Sequence, residues 1–155
     1  MNEARAGHRH LFVTGCSAGI GHALVELALH RGWRVSGCAR SRDRLAQMER
    51  ELGPRFLACP ADVTRAADCH AAVAAAVERF GPLHAVAANA GRGIDGEIVE
   101  CEVDDARAVF ELNFFGVHRT VTAALPHLLD GGTVVITSSV VARISLPRMG
   151  FYCAS

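Results

Sequence analysis

Short apolar runs alternate with longer helical patterns along the whole chain, and this alternation limits the fold more than any other feature of the sequence. Strand-like runs each followed by a helical period are typical of βαβ units and a parallel sheet. The predicted strands are Leu11–Val13, Arg34–Cys38, Phe56–Cys59, His84–Ala88 and Thr133–Thr137. The sequence therefore predicts an α/β fold, a doubly wound parallel sheet of about five strands.

Helical periodicity supplies the layers that should cover this sheet. Ile20, Leu24, Leu27 and Ala28 recur on one face of the first helix, which Gly32 closes. Further helices are predicted at Arg42–Leu52, Ala66–Phe80 and Asp104–Leu129, and another begins near Phe151. The third should pack through Val73, Val77 and Phe80, and the fourth should bury Phe110, Phe114, Val117, Val121 and Leu125.

The pattern contains no repeat and no linker, so residues 1–155 are predicted to form a single domain. Sheets of this type usually carry about six strands. Because the chain ends as another helix begins, we expect a C-terminally truncated, incomplete sheet whose fifth strand is an uncovered edge.

Composition excludes several classes of function. Acidic and basic residues balance at 16 each, which argues against a nucleic-acid or anionic-membrane partner. The six cysteines form no CxxC pair and are not expected to form a disulfide framework, and the strand-like contexts of Cys38 and Cys59 indicate small core residues. The polar stretch Met1–His10 lacks a signal-peptide core, and no apolar run could span a bilayer, so a cytoplasmic location is expected. His8 and His10 in that stretch are spaced for metal contacts, but a structural or solvent role is favoured, and no metal site is predicted.

A glycine-rich turn joins the first strand to the first helix. Gly15, Gly19 and Gly21 lie in the segment Thr14-Gly15-Cys16-Ser17-Ala18-Gly19-Ile20-Gly21. Missing Cβ atoms permit a tight bend and close approach of a diphosphate, and the helix N-terminus favours its negative charge. The alternative is an ordinary tight turn, since any strand-to-helix connection can use one or two glycines.

The spacing Gly-x-x-x-Gly-x-Gly resembles the TGxxxGxG element of the short-chain dehydrogenase/reductase family, and further motifs extend that resemblance from Leu11 to Ser155. Asp62-Val63 resemble the pair that contacts the adenine ring, and Asn89-Ala90-Gly91 match the NAG element that supports the sheet beside the cofactor. Tyr152-Cys153-Ala154-Ser155 match the start of YxxxK. The resemblance implies a Rossmann-like domain that binds a nicotinamide cofactor through Gly15, Ser17, Gly19, Ile20, Gly21, Asp62, Val63, Asn89, Ala90 and Gly91.

By the same resemblance, the catalytic residues are Asn113, Ser139 and Tyr152. Tyr152 would exchange a proton with the substrate oxygen, Ser139 would hydrogen-bond that oxygen, and Asn113 would help to hold a water. Taken singly, each has an ordinary alternative: Asn113 could face solvent, Ser139 could be an end-of-strand hydroxyl, and Tyr152 could be a packed residue. The implied reaction is reversible hydride transfer between the cofactor and a carbonyl or secondary alcohol.

Cofactor choice depends on the end of the second strand. A carboxylate there would bind the ribose hydroxyls of NAD, but this chain has Ala39 followed by Arg40. A guanidinium can pair with the 2′-phosphate of NADP, so NADP is preferred and NAD is possible. Arg42 and Arg44 are interpreted as residues of a solvated helix face.

The lysine of YxxxK would follow Ser155, and the chain contains no lysine. We therefore expect little or no turnover from these 155 residues alone, and the alternative to an enzyme is an inactive nucleotide-binding fragment. The stretch Val140, Val141, Leu146, Pro147, Met149 and Phe151 resembles steroid- and retinoid-type members, which implies a hydrophobic small-molecule substrate. Core packing explains these apolar residues equally well. Members of the family usually form homo-oligomers, which is expected of the full-length protein.

Overall fold

Five parallel strands form the centre of the molecule, as the sequence predicts. The computed structural model describes residues 9–155. The sheet has the order β3-β2-β1-β4-β5, with β1 His10–Thr14, β2 Arg34–Ala39, β3 Phe56–Pro60, β4 Leu83–Ala88 and β5 Leu128–Ile136. Helices α1 Gly19–His30, α2 Arg42–Leu52, α3 Ala66–Phe80, α4 Val103–Phe110, α5 Gly116–Ala124 and α6 Gly150–Ala154 connect or follow the strands.

Successive residues of β1 point to opposite faces of the sheet and anchor two cores. Phe12 packs with Val73, Leu83 and Val86 under α3 and α5. Val13 packs instead with Val25 and other side chains under α1 and α2. Both faces of this strand are buried, which explains its continuous apolar run.

The strand order changes direction at β1. Strands β2 and β3 extend the sheet to one side of β1, whereas β4 and β5 extend it to the other. In doubly wound sheets, ligands bind in the crevice outside the carboxyl ends of the strands at this reversal. The order therefore places the candidate site after β1 and β4.

The bounds predicted for α2 and α3 are confirmed, but the predicted buried face of α1 is wrong. Ile20 and Leu27 are 69% and 48% exposed, while the buried residues are Gly21, Val25, Ala28 and Leu29. The buried stripe has the predicted spacing shifted by one residue. Gly21 lacks a side chain, so this side of α1 approaches the loop after β1 most closely.

The long helix predicted at Asp104–Leu129 is also wrong in its bounds and its buried face. A π-helical turn at Glu111–Phe115 separates α4 from α5, and a 3₁₀ turn at Leu125–His127 leads directly into β5. The wider turn rotates the residues that follow it, and Pro126, which lacks an amide hydrogen, cannot continue the hydrogen-bond ladder. Phe114 and Leu125 are 58% and 53% exposed. Phe110, Val117 and Val121 are only half-buried, and the buried residues are Ala106, Val109, Gly116, Thr120, Ala123 and Ala124.

Strand β5 begins five residues earlier than predicted, because it includes the Gly131-Gly132 pair expected to precede it. Its register against β4 shifts between the pairs Leu83–Leu128 and Ala85–Thr133, so the additional residues interrupt the regular pairing of the two strands. Among the strands of residues 9–155, β5 is the outermost on its side of the sheet. Within residues 9–155, no helix combines the length and apolar character needed to cross a bilayer.

His10 was predicted from sequence to lie in a polar tail, and this prediction is wrong. His10 is the fully buried first residue of β1. His8 lies outside the described residues. The ring of His10 hydrogen-bonds through Nδ1 to the Gly81 carbonyl oxygen at 2.9 Å, and through Nε2 to the Ser36 hydroxyl at 2.9 Å. Burial lowers the pKa of His10, and the nearby His84 and Arg34 act in the same direction. The Gly81 carbonyl partly opposes this shift.

We predict that His10 makes the fold less stable in acid. In the unfolded chain the His10 ring takes up a proton near pH 6.5, but burial opposes this protonation in the folded protein. The free energy of unfolding therefore decreases as the pH is lowered below about 6.5. For one proton, the decrease is at most about 1.4 kcal/mol per pH unit. Urea unfolding of the parent and His10→Gln across this range measures the effect. The variant should lose part of the pH dependence, whereas an equal slope in both proteins would contradict the assignment.

Candidate functional site

A cleft of about 1090 Å³ opens at the carboxyl ends of the strands, where the sheet order reverses. The structure brings all but one of the predicted site residues to its wall: Gly15, Ser17, Gly19, Ile20, Arg40, Asp62, Val63, Asn89, Ala90, Gly91, Asn113, Ser139 and Tyr152. Gly21 is the exception, since it lies buried beneath the glycine loop. Residues from the full length of the described chain thus meet in one cleft.

The glycine loop has the backbone that its sequence predicts. Gly15 and Gly19 have φ angles of 68° and 54°, in the left-handed region that side chains disfavour. Helix α1 starts at Gly19, and its N-cap, Ala18, offers no side-chain hydrogen bond to the first turn. The first amides of a helix have no partner within the helix. The N-terminus of α1 therefore presents free donors and a partial positive charge at the cleft.

Gly21 maintains the shape of the loop from behind. A Cβ at residue 21 would collide with the Gly15 carbonyl oxygen and would lie 2.6 Å from the Asn89 side-chain nitrogen. At Gly19, by contrast, a Cβ would meet no atom within 4 Å. The two glycines thus have different roles, since residue 21 permits internal packing and residue 19 leaves open space beside the cleft.

Asn89 ties the glycine loop to the sheet. Its side-chain amide donates to the carbonyl oxygens of Thr14 and Gly15 at 3.1 and 3.4 Å, and its Oδ1 accepts from the Thr137 hydroxyl at 3.0 Å. The buried Thr14 hydroxyl accepts from the backbone amides of Asn89 and Ala90 at 3.0 and 3.1 Å. These bonds join the segments that follow β1, β4 and β5. Thr14 and Thr137 were not assigned a role from sequence, although Thr14 lies within the quoted glycine motif.

Arg40 and Asp62 lie at the opposite end of the cleft, after β2 and β3. Burial would raise the pKa of Asp62, but hydrogen bonds from Thr64 and the charges of Arg40 and Arg65 hold that pKa below its ordinary value. Asp62 is therefore ionised at neutral pH. Val63 is buried and contacts Gly116 of α5, where a Cβ would lie 2.9 Å from the valine methyl group.

Arg44, interpreted from sequence as a residue of a solvated helix face, is half-buried instead. Its Nε donates to the Ser17 carbonyl oxygen at 3.5 Å, so this side chain reaches back from α2 to the glycine loop. No motif marked this contact, because it depends on how α2 packs beside the loop. Arg42 is exposed, as interpreted.

Asn113 lies in the π-helical turn rather than on a regular helix. Its Oδ1 accepts from the Arg92 amide and its Nδ2 donates to the Arg92 carbonyl oxygen, both at 2.9 Å. The same Nδ2 donates to the Ser155 hydroxyl at 2.9 Å, and that hydroxyl donates to the Tyr152 carbonyl oxygen at 3.0 Å. The side chain thus connects the loop after β4 to α6. Arg92 and Ser155 received no role from sequence, because neither contact follows from local periodicity.

Ser139 and Tyr152 reach the cleft from segments that follow β5. Ser139 caps a 3₁₀ turn at Val140–Ala142, where its hydroxyl accepts from the Val141 amide at 3.4 Å. Tyr152 is half-buried within the short helix α6. Both side chains line the same cleft as the glycine loop.

Three cysteines in or next to the first three strands, Cys16, Cys38 and Cys59, are buried and unreactive core residues. Burial raises the pKa of the Cys16 and Cys59 thiols to about 12, and raises that of Cys38 still further. Thiolates are therefore scarce at neutral pH. All six cysteines are free, and within residues 9–155 no group of three or more potential ligand side chains could hold a metal ion.

The chain is similar to known proteins of one family. Residues 9–155 match the family model described as short chain dehydrogenase. The chain is 36% identical over 151 residues to 11-beta-hydroxysteroid dehydrogenase 1A of Arabidopsis thaliana, an alignment that covers 94% of this chain and 43% of that protein. The chain thus spans less than half the length of that curated relative.

Two crystal structures show the same architecture. A short chain dehydrogenase/reductase from Burkholderia phymatum in complex with NAD aligns with a TM-score of 0.90 and 30% identity, over 95% of this chain and 54% of that one. An alcohol dehydrogenase from the archaeon Thermococcus sibiricus, complexed with 5-hydroxy-NADP, aligns with a TM-score of 0.90 and 31% identity. That alignment covers 95% of this chain and 65% of the other.

The packing of Gly21 predicts a large effect from one methyl group. Gly21→Ala should destabilise the fold by about 2 to 4 kcal/mol, because overpacking against Gly15 and Asn89 outweighs the helix-propensity gain of about 1 kcal/mol. Thermal or urea unfolding measures this loss. Gly93→Ala is the matched control, since a Cβ there meets no atom within 4 Å and should change stability by no more than about 0.5 kcal/mol. Equal stability of the two variants would contradict the packing described.

Proposed function

The chain belongs to the short-chain dehydrogenase family, and from this premise we propose that it binds NADP(H) in the cleft for hydride transfer between that cofactor and a carbonyl or secondary alcohol. One observation carries the proposal: the uncapped N-terminus of α1 opens into the same cleft as Ser139 and Tyr152. One cleft thus offers free amides for a dinucleotide diphosphate and two hydroxyl side chains that can hydrogen-bond a carbonyl oxygen. Residues 1–155 would act as one cofactor-binding domain.

The residues present fit a dinucleotide. The open space beside Gly19 and the free amides at the start of α1 suit the diphosphate. Gly15, Ser17 and Ile20 would complete that part of the site. Gly21 would support the loop from below, and Asn89, Ala90 and Gly91 would form the wall beside it. Asp62 and Val63 would hold the adenine ring at the far end, where the ionised Asp62 carboxylate can accept hydrogen bonds from an amino group.

NADP is the proposed preference, with NAD as the second possibility. Ala39 supplies no carboxylate for the ribose hydroxyls, and the exposed Arg40 lies close enough to Asp62 for its charge to lower the pKa of that carboxyl. A guanidinium at this point can pair with a 2′-phosphate through parallel hydrogen bonds. The solved relatives described above include both an NAD complex and an NADP-type complex, so they support a nicotinamide cofactor of either kind, and Arg40 is the residue proposed to select between them.

The proposed chemistry divides between cofactor and protein. The nicotinamide, when bound, supplies or accepts the hydride at the substrate carbon. During reduction, Tyr152 donates a proton to the carbonyl oxygen while Ser139 hydrogen-bonds the same oxygen, whose negative charge grows in the transition state. Asn113, held by Arg92 and Ser155, would orient a water that returns a proton to Tyr152. The reverse sequence oxidises the alcohol.

The substrate is proposed to be a bulky hydrophobic alcohol or ketone. Val140, Ile144 and Leu146 are 68%, 54% and 44% exposed in the segment between Ser139 and Tyr152. Exposed apolar side chains in the segment that carries Ser139 and Tyr152 favour an apolar ligand. Assembly of the full-length protein as a homo-oligomer belongs to the same proposal.

The second candidate function is nucleotide binding without catalysis. It shares the cofactor site and differs in the chemical step. Because residues 1–155 lack the lysine of YxxxK and are expected to give little or no turnover alone, the distinguishing measurement is consumption of reduced nicotinamide by the full-length protein with hydrophobic ketones. Loss of its absorbance in step with alcohol formation supports the enzyme. Saturable NADPH binding without alcohol formation from any ketone supports the non-catalytic module.

Arg40 is predicted to select the cofactor. Arg40→Ala should weaken NADPH binding by about tenfold to a hundredfold, the loss of a charge-assisted phosphate contact, and should change NADH binding by no more than about twofold. Titration calorimetry with both cofactors measures the two affinities.

Arg42→Ala provides the matched control, because Arg42 is an exposed arginine of the same segment and does not line the cleft. It should leave both affinities unchanged. Equal losses for NADPH and NADH in Arg40→Ala, or an equal NADPH loss in Arg42→Ala, would contradict Arg40 as the selector.

A further inference from the structure

Helix α6 begins at Gly150 and carries Tyr152 in its first turn. The position of the Tyr152 side chain therefore depends on where and in which direction α6 begins. The Asn113 side chain contacts α6 from the other side, through the Ser155 hydroxyl.

Arg148 lies just before the start of α6 and has an unusual backbone. Its φ angle is 66°, and it is the only residue other than glycine with a positive φ among residues 9–155. A long side chain disfavours this conformation, so neighbouring contacts must maintain it.

The side chain of Arg148 forms such a contact with Asp95, 53 residues earlier in the chain. Its Nε donates to both carboxylate oxygens at 3.3 Å, and its Nη2 donates to Oδ2 at 2.8 Å. A guanidinium that engages both oxygens of a carboxylate fixes orientation as well as distance. The interaction also lowers the pKa of Asp95, because Arg148 donates hydrogen bonds to the charged carboxylate.

Two further contacts join the same segments. The Gly96 amide donates to the Arg148 carbonyl oxygen at 2.8 Å. The Ile98 side chain lies against Gly150, the first residue of α6, where a Cβ would be only 2.8 Å from the Ile98 Cδ1. We refer to Asp95, Gly96, Ile98, Arg148 and Gly150 as the inter-loop clamp. It fastens the segment after β4 to the residues at which α6 begins.

We propose that Asp95 and Arg148 are positioning residues, which set where α6 begins and thereby hold the Tyr152 side chain at the cleft. Without the ion pair, the Gly96 hydrogen bond and the Ile98 contact remain, but the Arg148 side chain no longer opposes the strain of its left-handed backbone, and the chain entering α6 relaxes. The inference rests on the proposed function, since it concerns the placement of the proposed proton donor.

The clamp should act locally rather than on the stability of the whole fold. Both partners are more than half exposed, at 51% for Arg148 and 63% for Asp95. Exposed ion pairs contribute little to global unfolding. The two possible roles can therefore be told apart at temperatures where every variant is folded. If the ion pair only stabilised the fold, its loss would leave the surroundings of Tyr152 unchanged, whereas loss of a positioning contact should alter them.

The single tyrosine provides a direct probe. Because Tyr152 is the only tyrosine in the chain, selective isotope labelling yields one set of ring signals in an NMR spectrum. Asp95→Asn and Arg148→Gly should each shift or broaden these signals. In both variants, hydrogen exchange of the Cys153 and Ser155 amides, which donate to the Met149 and Phe151 carbonyl oxygens, should become about threefold to tenfold faster.

Arg148→Gly is the sharper variant, because glycine adopts the left-handed backbone without strain. If backbone geometry alone placed α6, this substitution would leave the Tyr152 signals unchanged. Asp104→Asn is the matched control, since it breaks a comparably exposed ion pair with Arg107 on α4. It should leave the signals in place.

NADPH affinity separates this inference from the proposed function, because Asp95 and Arg148 do not line the cofactor cleft. All variants should bind NADPH like the parent. A parent chain that fails to bind NADPH would overturn the proposed function whatever the tyrosine signals show. Unchanged Tyr152 signals in both clamp variants, or a change in only one of them, would overturn the clamp.

Discussion

The candidate site depends on hydrogen bonds that a single side chain, Asn89, makes across the carboxyl ends of β1, β4 and β5. Its amide occupies the carbonyl oxygens of Thr14 and Gly15, and its oxygen accepts from Thr137. These hydrogen bonds join the glycine loop to the sheet and leave the first amides of α1 free to face the cleft. In the same arrangement, Gly15 packs against Ala90, and Gly21 packs against Gly15 and the Asn89 side chain.

The parts of the fold that sequence predicted well are those with one clear period. Helices α2 and α3 end at Gly53 and Gly81, whose positive φ angles mark the stop, and their bounds were predicted without error. The prediction of one long helix was wrong because the π turn at Glu111–Phe115 rotates the residues after it. Small residues such as Gly116 and Ala123 then face the core, while Phe114 and Val117 border the cleft. Hydrophobicity alone cannot distinguish a side chain that lines a ligand cleft from one that packs in a core.

Much of the candidate site could be predicted because its motifs lie at strand ends, which a parallel sheet brings to one edge. The remainder depends on how loops meet. Arg44 reaches Ser17, Asn113 reaches Ser155, and Arg148 reaches Asp95, each across a separation that no local pattern encodes. These contacts share one consequence, which is that loops carrying the proposed chemistry are fastened to one another and not only to the sheet. The helix with Tyr152 is the clearest case, because Gly96 contacts the residue that leads into it and Asn113 contacts Ser155, which follows it.

The most direct test of the account is an amide NMR titration of the ¹⁵N-labelled chain with NADPH. If the diphosphate binds at the glycine loop, the largest shifts occur at the amides of Gly15, Ser17 and Gly19, with smaller shifts around Gly91. Residues on the opposite end of the sheet, such as Gly53 and Gly81, should not move. Saturating NADPH that leaves the glycine-loop amides unshifted, or that shifts mainly residues outside the cleft, would contradict it.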